Sequence, residues 1–152
     1  DTPPPLLRLF DAPDRDDRTW AISVAYSVSM PELELAGAKG ELLPVDEAAA
    51  TTGRDMLWDH DEIVSAAVES LRERYEFRYR NDSPPPDPDG FLPQPFTLHQ
   101  LRKVHEAVIG EELHKDNFAR RMKPQLTPVT RGGEVVRSAA QRGRPATLYR
   151  IA

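Results

Sequence analysis

The stretch from Phe96 to Pro124, FTLHQLRKVHEAVIGEELHKDNFARRMKP, decides the fold. Thr97 is a suitable N-cap, and apolar residues then recur every three or four positions as far as Gly110. This spacing predicts an amphipathic helix that ends at a glycine. After a short turn, Asp116 is placed to cap a second, shorter helix that Pro124 stops. A helix, a tight turn and a short helix are typical of a helix–turn–helix motif.

The short helix is basic on the side that should face solvent. Phe118 and Met122 are four positions apart, so both should face inward and leave polar side chains outside. Arginine can pair with guanine edges or phosphates, and asparagine can read adenine, so the helix is a candidate for the DNA major groove. A surface helix with solvated charges is the alternative, and the helix alone does not decide between them.

The residues that follow the short helix predict a wing. Residues 126–130 and 146–151 have the pattern of two strands, and Gly132-Gly133 suits a turn. Residues 137–145 form a basic, flexible tip, which suits contact with the DNA backbone or minor groove. The candidate DNA-binding residues are Lys115, Asn117, Arg120, Arg121 and Lys123 on or beside the short helix, with Arg142 and Arg144 in the wing.

Charge separates the chain into two parts. Residues 1–95 hold 9 Lys and Arg against 20 Asp and Glu, a net charge of −11. Residues 96–152 hold 11 basic against 5 acidic residues, a net charge of +6, and the two parts sum to the overall −5. A basic second part indicates a polyanion partner such as nucleic acid, although small basic domains often bind no charged partner.

The acidic part has strand signals followed by a helix signal. Large apolar residues alternate with small ones over residues 19–30, which predicts a strand, and residues 6–10 can pair with it as a hairpin. Residues 40–45 suggest a short third strand. Asp59 or Asp61 could then cap a helix that runs to about Tyr79. His60 is expected to cap or pack rather than to bind a ligand.

No catalytic or metal-binding set is predicted. Leu71 to Glu76 faintly resembles a Nudix box, whose clustered carboxylates hold divalent cations against a pyrophosphate. Phe77 follows Glu76, however, so the adjacent pair of glutamates is missing, and an ordinary amphipathic helix fits better. The chain has no cysteine, which excludes a disulfide framework and a thiolate nucleophile. The expectation is therefore no enzyme, no metal and no cofactor.

Proline marks a boundary between the two parts. Six of the 15 prolines lie between Ser83 and Pro95, where neither a helix nor a sheet interior can continue. We therefore predict a domain over residues 1–80, a stiff linker or surface loop over 81–95, and a second domain over 96–152. The chain has neither a signal-peptide pattern nor an apolar run of the ~20 residues that cross a bilayer, so we expect a cytoplasmic protein without membrane contact.

Several runs together resemble one family of regulators. They are Phe96-Thr97-Leu98, Gln100-Leu101, Glu106-Ala107, Ile109-Gly110, Asn117-Phe118, Arg120-Arg121, Gly143-Arg144-Pro145-Ala146 and Leu148-Tyr149-Arg150, with Ile22 to Tyr26 and Trp58 to Ile63 upstream. The family is that of the Nudix-related transcriptional regulators of NAD metabolism, the NrtR family. The resemblance implies an α+β chain: the C-terminal part of a Nudix-like α/β domain, without its first half, followed by a winged helix–turn–helix domain.

The resemblance also implies a function. Such a protein is a dimeric repressor whose Nudix-like domain dimerises and senses ADP-ribose or a related nucleotide. Its winged helix binds a palindromic operator in double-stranded DNA near NAD biosynthesis or salvage genes. Dimerisation is physically reasonable, because two recognition helices must reach half-sites about one DNA turn apart.

Two other hypotheses stay open at this stage. The first is a Nudix hydrolase, an ADP-ribose pyrophosphatase whose catalytic half is absent from this chain. The second is a regulatory interaction module that does not bind nucleic acid. Neither the operator sequence nor the direction of an effector's influence can be read from the sequence.

Overall fold

The computed structural model describes residues 3–13, 15–16, 18–31, 42, 44–45, 56, 60–78, 83–139 and 145–152. The chain divides into two compact units, Asp1–Glu73 and Arg74–Ala152, which are described separately below as the first and second unit.

The first unit contains the predicted hairpin. Strand β1 (Leu6–Phe10) pairs antiparallel with β2 (Ser23–Tyr26), and the register is irregular near the start of β1. The hairpin prediction is confirmed, but β2 is much shorter than the alternating run over residues 19–30. Half of the predicted third strand over 40–45 lies outside the described residues, and the described ones, Leu42, Pro44 and Val45, are not in a strand.

A helix follows the hairpin and ends early. Helix α1 spans His60–Tyr75, so His60 opens the helix rather than preceding it, and the predicted extension to Tyr79 is wrong. The rings of Tyr75 and Phe77 both contact His105, with centroid distances of 4.9 and 5.8 Å. Residues two apart point to different sides of a helix, so both rings can reach His105 only because the helix has ended.

The second unit has the order of a winged helix. Its elements are β3 (Phe96–Thr97), α2 (Leu98–Ile109), α3 (Lys115–Met122), a 3-10 turn (Lys123–Gln125), β4 (Leu126–Pro128), β5 (Thr130–Arg131), β6 (Glu134–Val135) and β7 (Leu148–Ile151). The antiparallel sheet has the order β3-β7-β4. Strands β5 and β6 form a separate hairpin around Gly132 and Gly133, both with positive φ.

The predicted helices of this motif are largely confirmed, with one correction. Helix α3 begins at Lys115 with His114 at its N-cap, so the prediction that Asp116 is the cap is wrong. The Phe118 amide donates to the His114 carbonyl at 3.0 Å, which starts the helix before Asp116. Asp116 lies in the first turn instead, where its charge favours the helix dipole.

The core of the second unit joins the helices to the sheet. Phe96 of β3, Leu101 of α2, Phe118 and Met122 of α3, and Leu126 of β4 form one buried cluster. The two inward residues predicted for α3 are therefore both in the core. Leu113 in the turn and Tyr149 of β7 pack against this cluster from its edge, which fixes α3 against the sheet.

The described part of the proline-rich segment packs into the second unit. Pro84, Pro86 and Asp87 are buried, whereas a linker or surface loop was expected. The Asp87 carboxylate accepts hydrogen bonds from the amides of Phe91 and Leu92 at 3.0 and 2.8 Å. Because the carboxylate accepts hydrogen bonds from these two amides, neither donor is left unsatisfied when the segment is buried. The predicted domain limits at residues 80 and 95 remain a prediction.

Candidate nucleic-acid interface

A capping box fixes the start of α2. The Thr97 hydroxyl accepts from the Gln100 amide at 3.2 Å, and the Gln100 side-chain oxygen accepts from the Thr97 amide at 2.8 Å. Gly110 ends the helix in the left-handed conformation, with φ of 82°. Both ends were predicted from the sequence and both are confirmed, so the first helix of the motif has a defined length.

Buried ion pairs fix the turn between α2 and α3. Glu106 accepts from Arg102 at 2.6 Å and from the Leu113 amide at 3.0 Å, while Arg102 also donates to the Leu113 carbonyl at 3.0 Å. Lys103 Nζ lies 2.7 Å from the other carboxylate oxygen. Hydrogen bonding from Lys103, followed by that from Leu113, lowers the pKa of Glu106. The turn is thus held at both backbone polar atoms of Leu113, which sets how α3 leaves α2.

The outer face of α3 is polar and exposed. Lys115, Asn117 and Arg120 are exposed along the helix, and Lys123 is exposed in the 3-10 turn that follows. Arg120 donates to the Asn117 side-chain oxygen at 3.4 Å, a long contact at the limit of a hydrogen bond. Four of the predicted DNA-binding residues are therefore exposed on α3 and the turn that follows it, where a duplex could reach them.

A basic groove separates the start of α2 from α3. It has a volume of about 220 Å³, and its lining includes His99, Arg102, Lys115 and Lys123. Asp116 is the acidic side chain among its lining residues. Lysines in such a groove can pair with a phosphate oxygen as point charges. His99 was not predicted as part of the site, because nothing in the sequence showed that this position faces α3.

Arg121 has a different environment from Arg120. Its guanidinium carbon lies 4.4 Å from the centroid of the Phe77 ring, and its Nε donates to the Ser83 hydroxyl at 3.2 Å. The side chain is half-buried, whereas Arg120 is exposed. The structure thus gives Arg121 a different environment from that of Arg120.

The wing contains exposed basic residues that were not among the predicted DNA-binding residues. Arg131 and Arg150 are exposed on β5 and β7, and Arg137 is exposed where it bridges to Thr147. The predicted wing residues Arg142 and Arg144 lie outside the described residues. Arg131 precedes Gly132-Gly133 directly in the sequence, but that turn was not expected to form its own hairpin.

The buried His105 of α2 packs against α3. His105 is fully buried, and its Nε2 donates to the Pro86 carbonyl at 2.7 Å, because a carbonyl can only accept. Its ring meets the Phe118 ring edge-on at 5.1 Å. Burial lowers the pKa of His105, which keeps the ring neutral and compatible with an apolar core.

Two further observations concern only the described part of the chain. No three histidine, aspartate or glutamate side chains there come close enough together to hold a metal ion. No helix there combines the length and apolar character needed to cross a membrane.

The second unit has the architecture of a winged helix protein: a helix–turn–helix, a three-stranded sheet and a hairpin extension. Residues 90–151 match the NrtR DNA-binding winged helix domain, which confirms the predicted resemblance to the NrtR regulators. The curated relative "ADPR responsive transcriptional repressor NtrR" of Acinetobacter baylyi is 26% identical over 143 residues, which are 91% of this chain and 52% of the relative. The chain thus spans about half the length of that relative.

Solved structures show the same fold. Shewanella oneidensis NrtR is 24% identical, with a TM-score of 0.66, or 0.68 in its crystal structure with a 27mer DNA. Each match covers 97% of this chain and 63% of the other. A MutT/nudix family protein from Enterococcus faecalis is 22% identical, with a TM-score of 0.58, over 97% of this chain and 61% of the other. The predicted fold class is confirmed: part of a Nudix-like domain followed by a winged helix.

Proposed function

We propose that this chain is the operator-binding part of a transcriptional repressor. The observation that carries the proposal is the exposure of three polar or basic side chains of α3, Lys115, Asn117 and Arg120, on a winged helix of the NrtR type. A relative described as a transcriptional repressor and a structural neighbour solved with a 27mer DNA support the same function. Lys123 and the wing arginines Arg142 and Arg144 would add contacts to the DNA backbone or minor groove.

The test begins with a duplex that the protein selects for itself. The protein is incubated with a library of randomised duplexes, and the most enriched sequence becomes the probe, called the selected duplex below. Fluorescence anisotropy then measures affinity at several salt concentrations. Several phosphate contacts predict that log affinity falls steeply with log salt. Affinity that does not change with salt would contradict DNA binding.

Arg120 provides the sharpest single test of the interface. Arg120→Ala should weaken binding to the selected duplex by ~1–3 kcal/mol, or about 5- to 150-fold, because the side chain would contact a base or a phosphate. The matched control is Arg18→Ala, which also removes an exposed arginine, but one that belongs to the first unit. Equal affinities of the Arg120→Ala variant and the unchanged protein would contradict this assignment.

The finer parts of the proposal rest on the family resemblance and on the relative's name. They are a homodimer on a palindromic operator, control of NAD biosynthesis or salvage genes, modulation by ADP-ribose or a related nucleotide, and a cytoplasmic location. Two protein chains per selected duplex in sedimentation velocity would support the dimer. ADP-ribose should change the affinity for the selected duplex, and an unchanged affinity would remove this effector from the proposal.

A Nudix hydrolase is the second candidate, and the likeness to the MutT/nudix protein favours it at the level of fold. The corresponding test incubates the protein with ADP-ribose and magnesium and follows release of AMP. Turnover by the full chain that disappears in a variant lacking the first unit would favour the hydrolase. Under the repressor proposal we expect no turnover above the uncatalysed rate.

A further inference from the structure

Adjacent arginines on α3 point in different directions. Successive residues of a helix are rotated by about 100°, so Arg120 and Arg121 project in different directions. Arg120 is exposed and reaches only along its own helix, to Asn117. Arg121 reaches across to Phe77 and Ser83, which lie 44 and 38 positions earlier in the chain.

The contacts of Arg121 are those of a structural clamp. The planar guanidinium lies over the Phe77 ring at 4.4 Å, and the Nε proton goes to the Ser83 hydroxyl. Phe77 itself contacts the Phe118 ring of α3 edge-on, with centroids 6.1 Å apart. The stretch between α1 and β3 therefore meets both a buried and a half-buried residue of α3. Stacking uses one face of the guanidinium and the hydrogen bond uses its Nε donor, and both hold the side chain against Phe77 and Ser83.

We propose that Arg121 is a positioning residue: it ties α3 to the segment that contains Phe77 and Ser83, and so orients Arg120 and Asn117 toward the DNA. This proposal rests on the DNA-binding function proposed above. It assigns different roles to two identical neighbouring side chains. It also gives Phe77 and Ser83, which have no charge to offer a duplex, a part in DNA affinity.

The first experiment needs no DNA. Hydrogen–deuterium exchange is measured on the full chain for the α3 amides, residues 115–122, in three variants: Arg121→Ala, Phe77→Leu and Ser83→Ala. A clamp predicts faster exchange in α3 for all three, with the smallest change for Ser83→Ala, which removes one hydrogen bond and is the variant least able to unfold the unit. The control Arg120→Ala should leave exchange unchanged. Unchanged exchange in Arg121→Ala would overturn the proposal.

The second experiment measures affinity for the selected duplex across a salt series. Loss of a phosphate contact lowers the slope of log affinity against log salt by about one. Loss of a positioning contact should lower affinity by about 3- to 10-fold and leave that slope and the base preference unchanged. We expect this second result for Arg121→Ala and for Phe77→Leu. The double variant should bind the selected duplex as tightly as the weaker-binding of the two single variants, because both substitutions break the same contact.

The outcomes separate the two proposals. If Arg121→Ala lowers the salt slope or relaxes the base preference while Phe77→Leu binds normally, Arg121 touches DNA and the positioning role is overturned. Normal affinity in Arg121→Ala would overturn it as well. If the unchanged protein shows no salt-dependent binding at all, the DNA-binding function fails, whereas the exchange experiment still tests the clamp.

Discussion

The alternating run of the first unit and the core of the second unit differ in the exposure of their apolar side chains. In the first unit, Trp20 and Val28 are both 63% exposed, and the other large residues of the alternating run are exposed as well. In the second unit, Phe96 and Leu101 are 1% and 0% exposed. The small residues between the large ones of the first unit are half-buried, so its hairpin turns its larger side chains outward.

This difference shows where each unit finds its stability. Two strands alone are marginally stable in water, and the large side chains of this hairpin face are exposed rather than packed into a core. The second unit instead closes one core with two helices and a sheet, and internal hydrogen bonds hold its turn. We therefore expect substitutions in the second unit to act on folding, and substitutions on the hairpin face to have little effect on the stability of the chain itself.

The largest expected effect is a loss of stability at the buried Met122, with the exposed Met30 as its matched control. Met122 is 0% exposed in the core, and Met30 is 57% exposed after β2. Met122→Ala should lower the free energy of unfolding by ~2–5 kcal/mol, because it removes packed atoms and leaves a cavity. Met30→Ala should stay within about 0.5 kcal/mol, as surface substitutions do. Urea unfolding followed by circular dichroism measures both.

A large loss of stability in Met30→Ala would break the comparison. It would mean that the hairpin face is covered in solution, and repeating the measurement over a range of protein concentrations would then separate cover by a second copy from cover within one chain, since only the first depends on concentration.

A smaller effect is expected at the turn of the helix–turn–helix. Glu106→Ala removes the acceptor of the Leu113 amide and leaves Arg102 without its closest partner. Leaving such half-buried groups unsatisfied should lower the free energy of unfolding by ~1–3 kcal/mol. Glu112→Ala, an exposed glutamate in the same turn, is the control and should unfold like the unchanged protein. Similar unfolding midpoints for the two variants would show that the ion pairs do not hold the turn.

The local features of the winged helix were predictable from the sequence. Capping residues and glycines act within a few positions of the backbone that they shape, so the start of α2 at Thr97 and its end at Gly110 were both predictable. Inward-facing Phe118 and Met122 followed from helical spacing alone. The resemblance to the NrtR family then identified the two parts of the fold.

Contacts between distant positions were not predictable in the same way. Arg121 looked like a second DNA-binding arginine because nothing in its neighbours shows that Phe77 and Ser83 fold back against it. The burial of Pro86 and Asp87 depends on partners in α1 and α2, so a proline-rich composition indicated only an extended stretch. Helical spacing predicted which residues of α3 face away from the core, whereas the contacts that each of these side chains makes depend on the tertiary fold.

The smallest effect is a dependence of stability on pH that belongs to the second unit. Burial lowers the pKa of His105 below its ordinary 6.5, so the folded chain binds this proton only at lower pH than the unfolded chain does. Above pH 6.5 both states are neutral at this position, and His105 contributes no pH dependence. Below pH 6.5 the unfolded chain gains a proton first, so stability should fall as the pH drops toward the folded-state pKa, by at most about 1.4 kcal/mol per pH unit.

The measurement compares urea midpoints at pH 7.5 and pH 5 for the unchanged protein, His105→Phe and His99→Gln. His105→Phe loses the hydrogen bond to Pro86 and is less stable at both values, but its midpoint should change less between them, because the buried group no longer titrates. His99→Gln removes an exposed histidine on the same helix and should keep the full change. An equal change in the His105→Phe variant would show that the acid sensitivity arises elsewhere, because a buried neutral imidazole is the feature that distinguishes His105 from His99 on α2.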